Sequence, residues 1–86
     1  SGDAISAGRA RSSGHAGLEA PMPGTIIKIY IQEGQQVAAH QPLIVLEAMK
    51  IEHVVAAPHS GVVRRLHASE GALVARGAVL IELDAD

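Results

Sequence analysis

The chain has 86 residues, 48% hydrophobic and 19% charged, with no cysteine, tryptophan or phenylalanine, one tyrosine and a formal net charge of -2. One small domain is its ceiling, since a chain of this length buries only roughly 60–65% of its unfolded surface and has no room for a large active-site cavity. Without cysteine there are no disulfides, thiolate nucleophiles or cysteine-based zinc sites, which fits a reducing compartment; without a basic field or aromatic platforms, nucleic acid is not an expected partner.

In chain order, residues 1–17 are rich in Gly, Ser and Ala, with Ile5 the only large apolar side chain. That is too little burial to offset the entropy of ordering, so 1–17 is expected to be a flexible linker and 18–86 the folded domain. The opening Ser1-Gly2-Asp3 reads as the start of a piece cut from a longer polypeptide, and it lacks the basic and apolar regions of a secretory signal. From Leu18 onward, short apolar runs alternate with Gly, Pro and polar pairs, and strands are expected over 25–31, 43–47, 54–56, 62–67 and 79–83. No run approaches the ~20 apolar residues that cross a bilayer, so no membrane partner is expected.

An internal repeat organises these runs. Aligning 20–47 with 57–84, an offset of 57 − 20 = 37, gives ten identities in 28 positions. They include Pro21/Pro58, Gly24/Gly61, Glu33/Glu70, Gly34/Gly71, Val37/Val74, Leu43/Leu80, Ile44/Ile81 and Leu46/Leu83. Two units that cannot bury an apolar face alone are expected to pack about an approximate two-fold axis. The fold class is therefore all-β, a flattened barrel or barrel-sandwich of two quasi-symmetric four-stranded halves. Residues 43–52 carry enough helix formers to be drawn as an amphipathic helix. Pro42, the β-branched Ile44 and Val45, and above all repeat partnership with 80–83 argue for strand instead.

The repeat runs out at Glu47, and Ala48-Met49-Lys50-Ile51-Glu52-His53 has no evident counterpart in either copy. Lys50 is thereby expected at the projecting tip of the hairpin joining the two units, open to an incoming enzyme, with Met49 and Ile51 as apolar handles. Here the chain resembles the biotin carboxyl carrier domains, whose attachment motif is matched by Glu47-Ala48-Met49-Lys50 followed by a hydrophobic residue. The resemblance extends over Ala20-Pro21-Met22-Pro23-Gly24, Glu33-Gly34-Gln35-Gln36-Val37, Ser60-Gly61-Val62-Val63 and Glu70-Gly71-Ala72-Leu73-Val74, roughly 18–83. Glu52-His53 and Ala56-Ala57-Pro58 look most like the carrier at the C-terminus of acyl-CoA carboxylase biotin-containing subunits. The family more often has methionine where Ile51 stands, and no thumb-like insertion interrupts Gly24 to Gly34.

The resemblance implies a carrier without catalysis of its own. Lys50 is the expected site of covalent biotin, with Glu47, Ala48, Met49 and Ile51 as the surrounding recognition residues. A biotin protein ligase is implied as the modifying enzyme; it must supply the base, because a lysine amine attacks only when deprotonated. A biotin carboxylase domain would then load CO₂ on a ring nitrogen and a carboxyltransferase would pass it on. The isolated domain is expected to be a monomer, in bacterial cytoplasm or the mitochondrial matrix. Two rivals stand beside this reading: a lipoyl carrier of a 2-oxo acid dehydrogenase, against which Met49 argues, and a non-acylated barrel-sandwich adaptor, which needs no lysine at the tip.

Other residues invite chemistry less. His15, His40, His53, His59 and His67 fit no ligand spacing, so no metal site is expected. Glu33 and Glu70 are repeat equivalents beside turn glycines, whereas acid–base work needs two different environments; a turn role is expected for both. Neither a nucleophile–base pair nor a phosphate loop is visible.

Overall fold

The computed structural model describes residues 15–86, which form strands and turns and no helix. The strands are β1 (His15–Glu19), β2 (Gly24–Ile29), β3 (Gln36–Val37), β4 (Pro42–Ala48), β5 (Ile51–Ala56), β6 (Gly61–Leu66), β7 (Leu73–Val74) and β8 (Val79–Ala85). They make two antiparallel sheets of four strands, in the orders β1-β8-β6-β3 and β5-β4-β2-β7. The expected all-β barrel-sandwich is what forms, as two facing sheets rather than a closed barrel. The run 43–52 is strand, turn and strand, not helix.

Strand positions repeat with the offset seen in the sequence, 61 − 24 = 37 from β2 to β6. Exchanging each strand for its repeat partner turns one sheet order into the other, so the pseudo-two-fold swaps the sheets. Each sheet draws two strands from each copy. The copies therefore interlock instead of stacking as separate halves, and neither has a complete sheet of its own.

This symmetry corrects two expectations. First, β5 does have a counterpart: β1 pairs with β8, from His15↔Asp84 to Glu19↔Val79, as β5 pairs with β4. The kinship is nearly silent in sequence because only Leu18 and Val55, both packed against the core, correspond in kind. Second, residues 15–17 belong to a strand, so the ordered part begins before residue 18; the rest of the expected linker, 1–14, lies outside the described residues. Composition misjudged this boundary because the strand rests on backbone pairing with β8 and on one anchoring side chain, Leu18.

The core is made by equivalent positions of both copies: Ile26, Leu43, Ile44 and Leu46 meet Val63, Leu80, Ile81 and Leu83, all essentially inaccessible. In β4 the alternation breaks, with Leu43 through Leu46 all buried. A register shift between Pro42 and Ile44 turns Leu43 inward beside Ile44, and Val45 lies, largely buried, in an outer-face groove that Tyr30, Pro42 and Val54 also line.

The matched turn residues tie the copies together. Gly34 N–H donates to Val63 O and Gly71 N–H to Ile26 O, each at 2.7 Å. Glu33 accepts from Leu66 N–H and Glu70 from Ile29 N–H, each at 3.0 Å. The expected turn role of these glutamates is thus sharper than a turn: each closes off the end of a strand in the other copy. Gly61 and Gly24 mark close backbone approaches, because a Cβ there would drive into the carbonyls of Asp84 and Glu47 respectively.

β4 sets the direction of the molecule. It starts next to the end where Val37, Gly61 and Ala85 pair, and finishes at the end where Gly24 pairs with Val74. The β4–β5 turn thus lies at one end, and the exit of β8 with the start of β1 lies at the other.

Candidate functional site

The β4–β5 hairpin runs in register from Pro42↔Ala56 to Ala48↔Ile51, which leaves Met49 and Lys50 as a two-residue loop. Of the two-residue hairpin loops whose twist matches the strands, type I′ needs positive φ at both positions, and Asn-Gly is its usual solution. Here Met49 has φ 53° and Lys50 φ 67°. A left-handed conformation costs an L-residue with a Cβ about 1–2 kcal/mol. The strain persists because the ladder behind the loop over-determines it, and strain of this kind collects at functional sites.

One row back on the outer face, Glu47 stands directly opposite Glu52, a like-charge pairing that opposes hairpin formation. The tip is thus unfavourable twice over. What it achieves is presentation: Lys50 is exposed, and its amine makes no hydrogen bond or ion pair with any described residue. Met49 is 94% exposed and Ile51 60% exposed, while Ala48 is buried and closes the core beneath them.

All five residues singled out in the sequence therefore fall on one hairpin, with different duties. Met49, Lys50 and Ile51 form the tip, Glu47 lies on the outer face, and Ala48 anchors the loop to the core. Leu73 escaped notice although it is 83% exposed and lies in the row Leu73–Thr25–Glu47–Glu52 just behind the tip. Its repeat partner is Gln36, and that exchange of polar for apolar was the available signal.

Among the described residues no hydrogen bond or ion pair engages the Lys50 amine, the nearby Glu47 and Glu52 included, and Glu33 and Glu70 are committed to backbone N–H groups. His67 is held by Glu82 at 2.6 Å on the far sheet. A rigid sandwich that holds a primary amine out on a strained loop has the arrangement of a carrier module.

The model of the biotin/lipoyl family, described as biotin-requiring enzyme, matches residues 16–83. The chain belongs to this family. It is similar to the biotin carboxyl carrier protein of Streptococcus mutans, with 44% identity over 66 residues, 77% of this chain and 51% of that one. It is similar also to pyruvate carboxylase 1 of Caenorhabditis elegans, with 42% identity over 71 residues, 83% of this chain and 6% of that protein. Among solved structures, a single-chain, multi-domain long-chain acyl-CoA carboxylase superposes with a TM-score of 0.81 at 33% identity, over 88% of this chain and 8% of that one. The chain thus spans about half of the Streptococcus protein and a small fraction of the two carboxylases. No helix among the described residues is long and apolar enough to cross a membrane.

Proposed function

We propose that the chain is the biotinyl carrier domain of a biotin-dependent carboxylase and that Lys50 is the residue acylated. The observation that carries this is the Met49-Lys50 loop: two non-glycine residues held at positive φ, with an exposed amine that has no partner among the described residues, at the crossover of the duplicated scaffold. A preformed loop lets a ligase meet the amine in one geometry without ordering a flexible segment first. Met49 and Ile51 offer it apolar contact, Ala48 fixes the loop's depth, and Glu47 lies beside the approach.

Bound biotin supplies a ring nitrogen able to carry a carboxyl group. The protein's own part is mechanical. The amide replaces a charged amine with a neutral linkage, the two sheets keep its root rigid, and the chain enters and leaves at the opposite end, clear of whatever docks on the tip. The partners that follow are a biotin protein ligase, a biotin carboxylase domain and a carboxyltransferase, with an acyl-CoA as acceptor and the isolated domain monomeric. The compartment is intracellular, either bacterial cytoplasm or mitochondrial matrix.

Co-expression with a biotin protein ligase and intact-mass measurement tests the reading. One biotinyl adduct is expected, absent from Lys50→Arg. A lipoyl or octanoyl adduct, or a biotinyl adduct that survives Lys50→Arg, overturns it.

A further inference from the structure

The outer face of the β5-β4-β2-β7 sheet carries an open groove of about 350 Å³ lined by Tyr30, Pro42, Val45 and Val54. Val45 is its floor, 6% exposed although it lies on the side away from the core, and its cross-strand partner Val54 is a wall at 58%. Lys28 is the register partner of Val45 on β2. Neither the Lys28 ammonium nor the Tyr30 hydroxyl has a hydrogen-bond or ion-pair partner among the described residues. The groove is therefore an apolar slot with unused donors beside it.

Groove and Lys50 share one hairpin, with the outward pair Glu47↔Glu52 between them. From the Ala48↔Ile51 pair to the Val45↔Val54 pair is 48 − 45 = 3 residues, about 10 Å at a strand rise of about 3.4 Å. A biotinylated lysine has about eleven bonds between Cα and its bicyclic ring, which advance about 1.25 Å each and span about 14 Å when extended. An arm laid back along the outer face brings the ring over Val45 and Val54, and an arm pointing outward leaves the groove open.

Resting on the carrier reading above, we propose that this groove is the resting site of the biotinyl group carried by Lys50 of the same chain. The sulfur-containing ring lies against Val45, Val54 and Pro42, and the ureido carbonyl accepts from the Tyr30 hydroxyl and the Lys28 ammonium. The occupant is the chain's own arm because a short tether holds its ring at an effective concentration in the millimolar range. A shallow slot with a dissociation constant of that order is then filled about half the time. Such weak binding suits a group that must leave for each partner enzyme.

The test compares amide chemical shifts of the ¹⁵N-labelled chain before and after ligase treatment, with intact mass verifying one adduct. Shifts are expected at Tyr30, Val45 and Val54 as well as at the hairpin tip, unchanged on tenfold dilution. The pair Tyr30→Ser with Val54→Lys should abolish the groove shifts, keep those at the tip and leave the β6 and β8 signals in place. If the pair disturbs β6 and β8, Tyr30→Ser alone serves, with the same expectation. Shifts confined to residues 48–52 overturn the proposal, as do groove shifts that vanish on dilution, which mean a second copy is the occupant. If the ligase adds nothing, it is the carrier reading that fails. Titrating ε-biotinyl-lysine into the unmodified chain then still decides the groove: saturable millimolar shifts at the same three residues support it, and none at several millimolar sinks it.

Discussion

On the outer face of the β5-β4-β2-β7 sheet stand Tyr30, Val45, Val54 and Leu73; the repeat-equivalent positions of the β1-β8-β6-β3 sheet hold His67, Glu82, Gly17 and Gln36. The first set is apolar and lines or flanks the groove and the Lys50 hairpin. The second is polar or small: His67 pairs with Glu82 at 2.6 Å, and Gln36 donates to Asp86 at 3.0 Å. Meanwhile the residues that shape the backbone, Gly24/Gly61, Glu33/Glu70 and Gly34/Gly71, remain identical in the two copies. The two copies share what the fold needs and differ at these four outward positions, which are apolar on the sheet that bears Lys50 although Lys28, Glu47 and Glu52 stand on the same face.

The shared devices break first. Gly61→Ala should cost about 3 kcal/mol, because its Cβ meets the Asp84 backbone, which cannot step aside as a side chain would. Gly24→Ala should cost somewhat less, its closest obstacle, the Glu47 carbonyl, being farther away. Denaturant midpoints of the two variants check both size and order, and equal values contradict the ranking.

Grafting one face onto the other sharpens the contrast. Val45→Glu should destabilise by about 2 kcal/mol by placing a carboxylate where an almost fully covered valine sat. Adding Tyr30→His rebuilds the His67–Glu82 arrangement on the other sheet and should recover about 0.5–1 kcal/mol. A double-mutant cycle with no coupling means the two faces are less alike in backbone than their register implies.

Glu33→Ala and Glu70→Ala should each cost about 1 kcal/mol, and equally, since each removes one acceptor from an exposed strand-end N–H. No larger is the effect at the turn where the copies differ, with His40 at φ 69° and Gly77 at φ 86°. His40→Gly should stabilise by about 0.5 kcal/mol and Gly77→Ala destabilise by about 1 kcal/mol, a sign reversal from conformation alone, since nothing crowds Gly77.

The charged face should also respond to acid. The hydrogen bond from His67, opposed by desolvation and aided by the charges of His67, Arg64 and Arg65, holds the Glu82 carboxyl below its ordinary 4.5. A depressed carboxyl stabilises the fold fully above its unfolded value and loses that contribution as pH falls through the folded one. Stability should therefore drop as pH falls below about 4.5, and Glu82→Gln should flatten that part of the profile. An unchanged slope refutes the assignment.

How legible all this was depended on what each residue does. Glycines, turn glutamates and core aliphatics announce themselves because backbone geometry and burial tolerate few substitutes, so the repeat, the all-β class and the position of the Lys50 turn could be read in advance. β1 could not, because an edge strand with one anchoring residue, Leu18, leaves almost no pattern. The two-residue strands β3 and β7 are also too short for any periodicity to register. At the site, Lys50 and its neighbours were visible as a motif, but neither the paired positive φ angles nor the opposed glutamates were, since both depend on register.

The order of residues by itself settled the period, the turns and which side chains must be hidden, because those are consequences of local sterics and of hydrophobic burial. The folded chain alone decided that the copies interlock, that Tyr30, Pro42, Val45 and Val54 line one groove, and that the outer face bearing the Lys50 hairpin carries an apolar patch where its repeat-equivalent positions are polar or small. Such facts arise when residues distant in sequence become neighbours, and a linear pattern holds them only after the pairing is known.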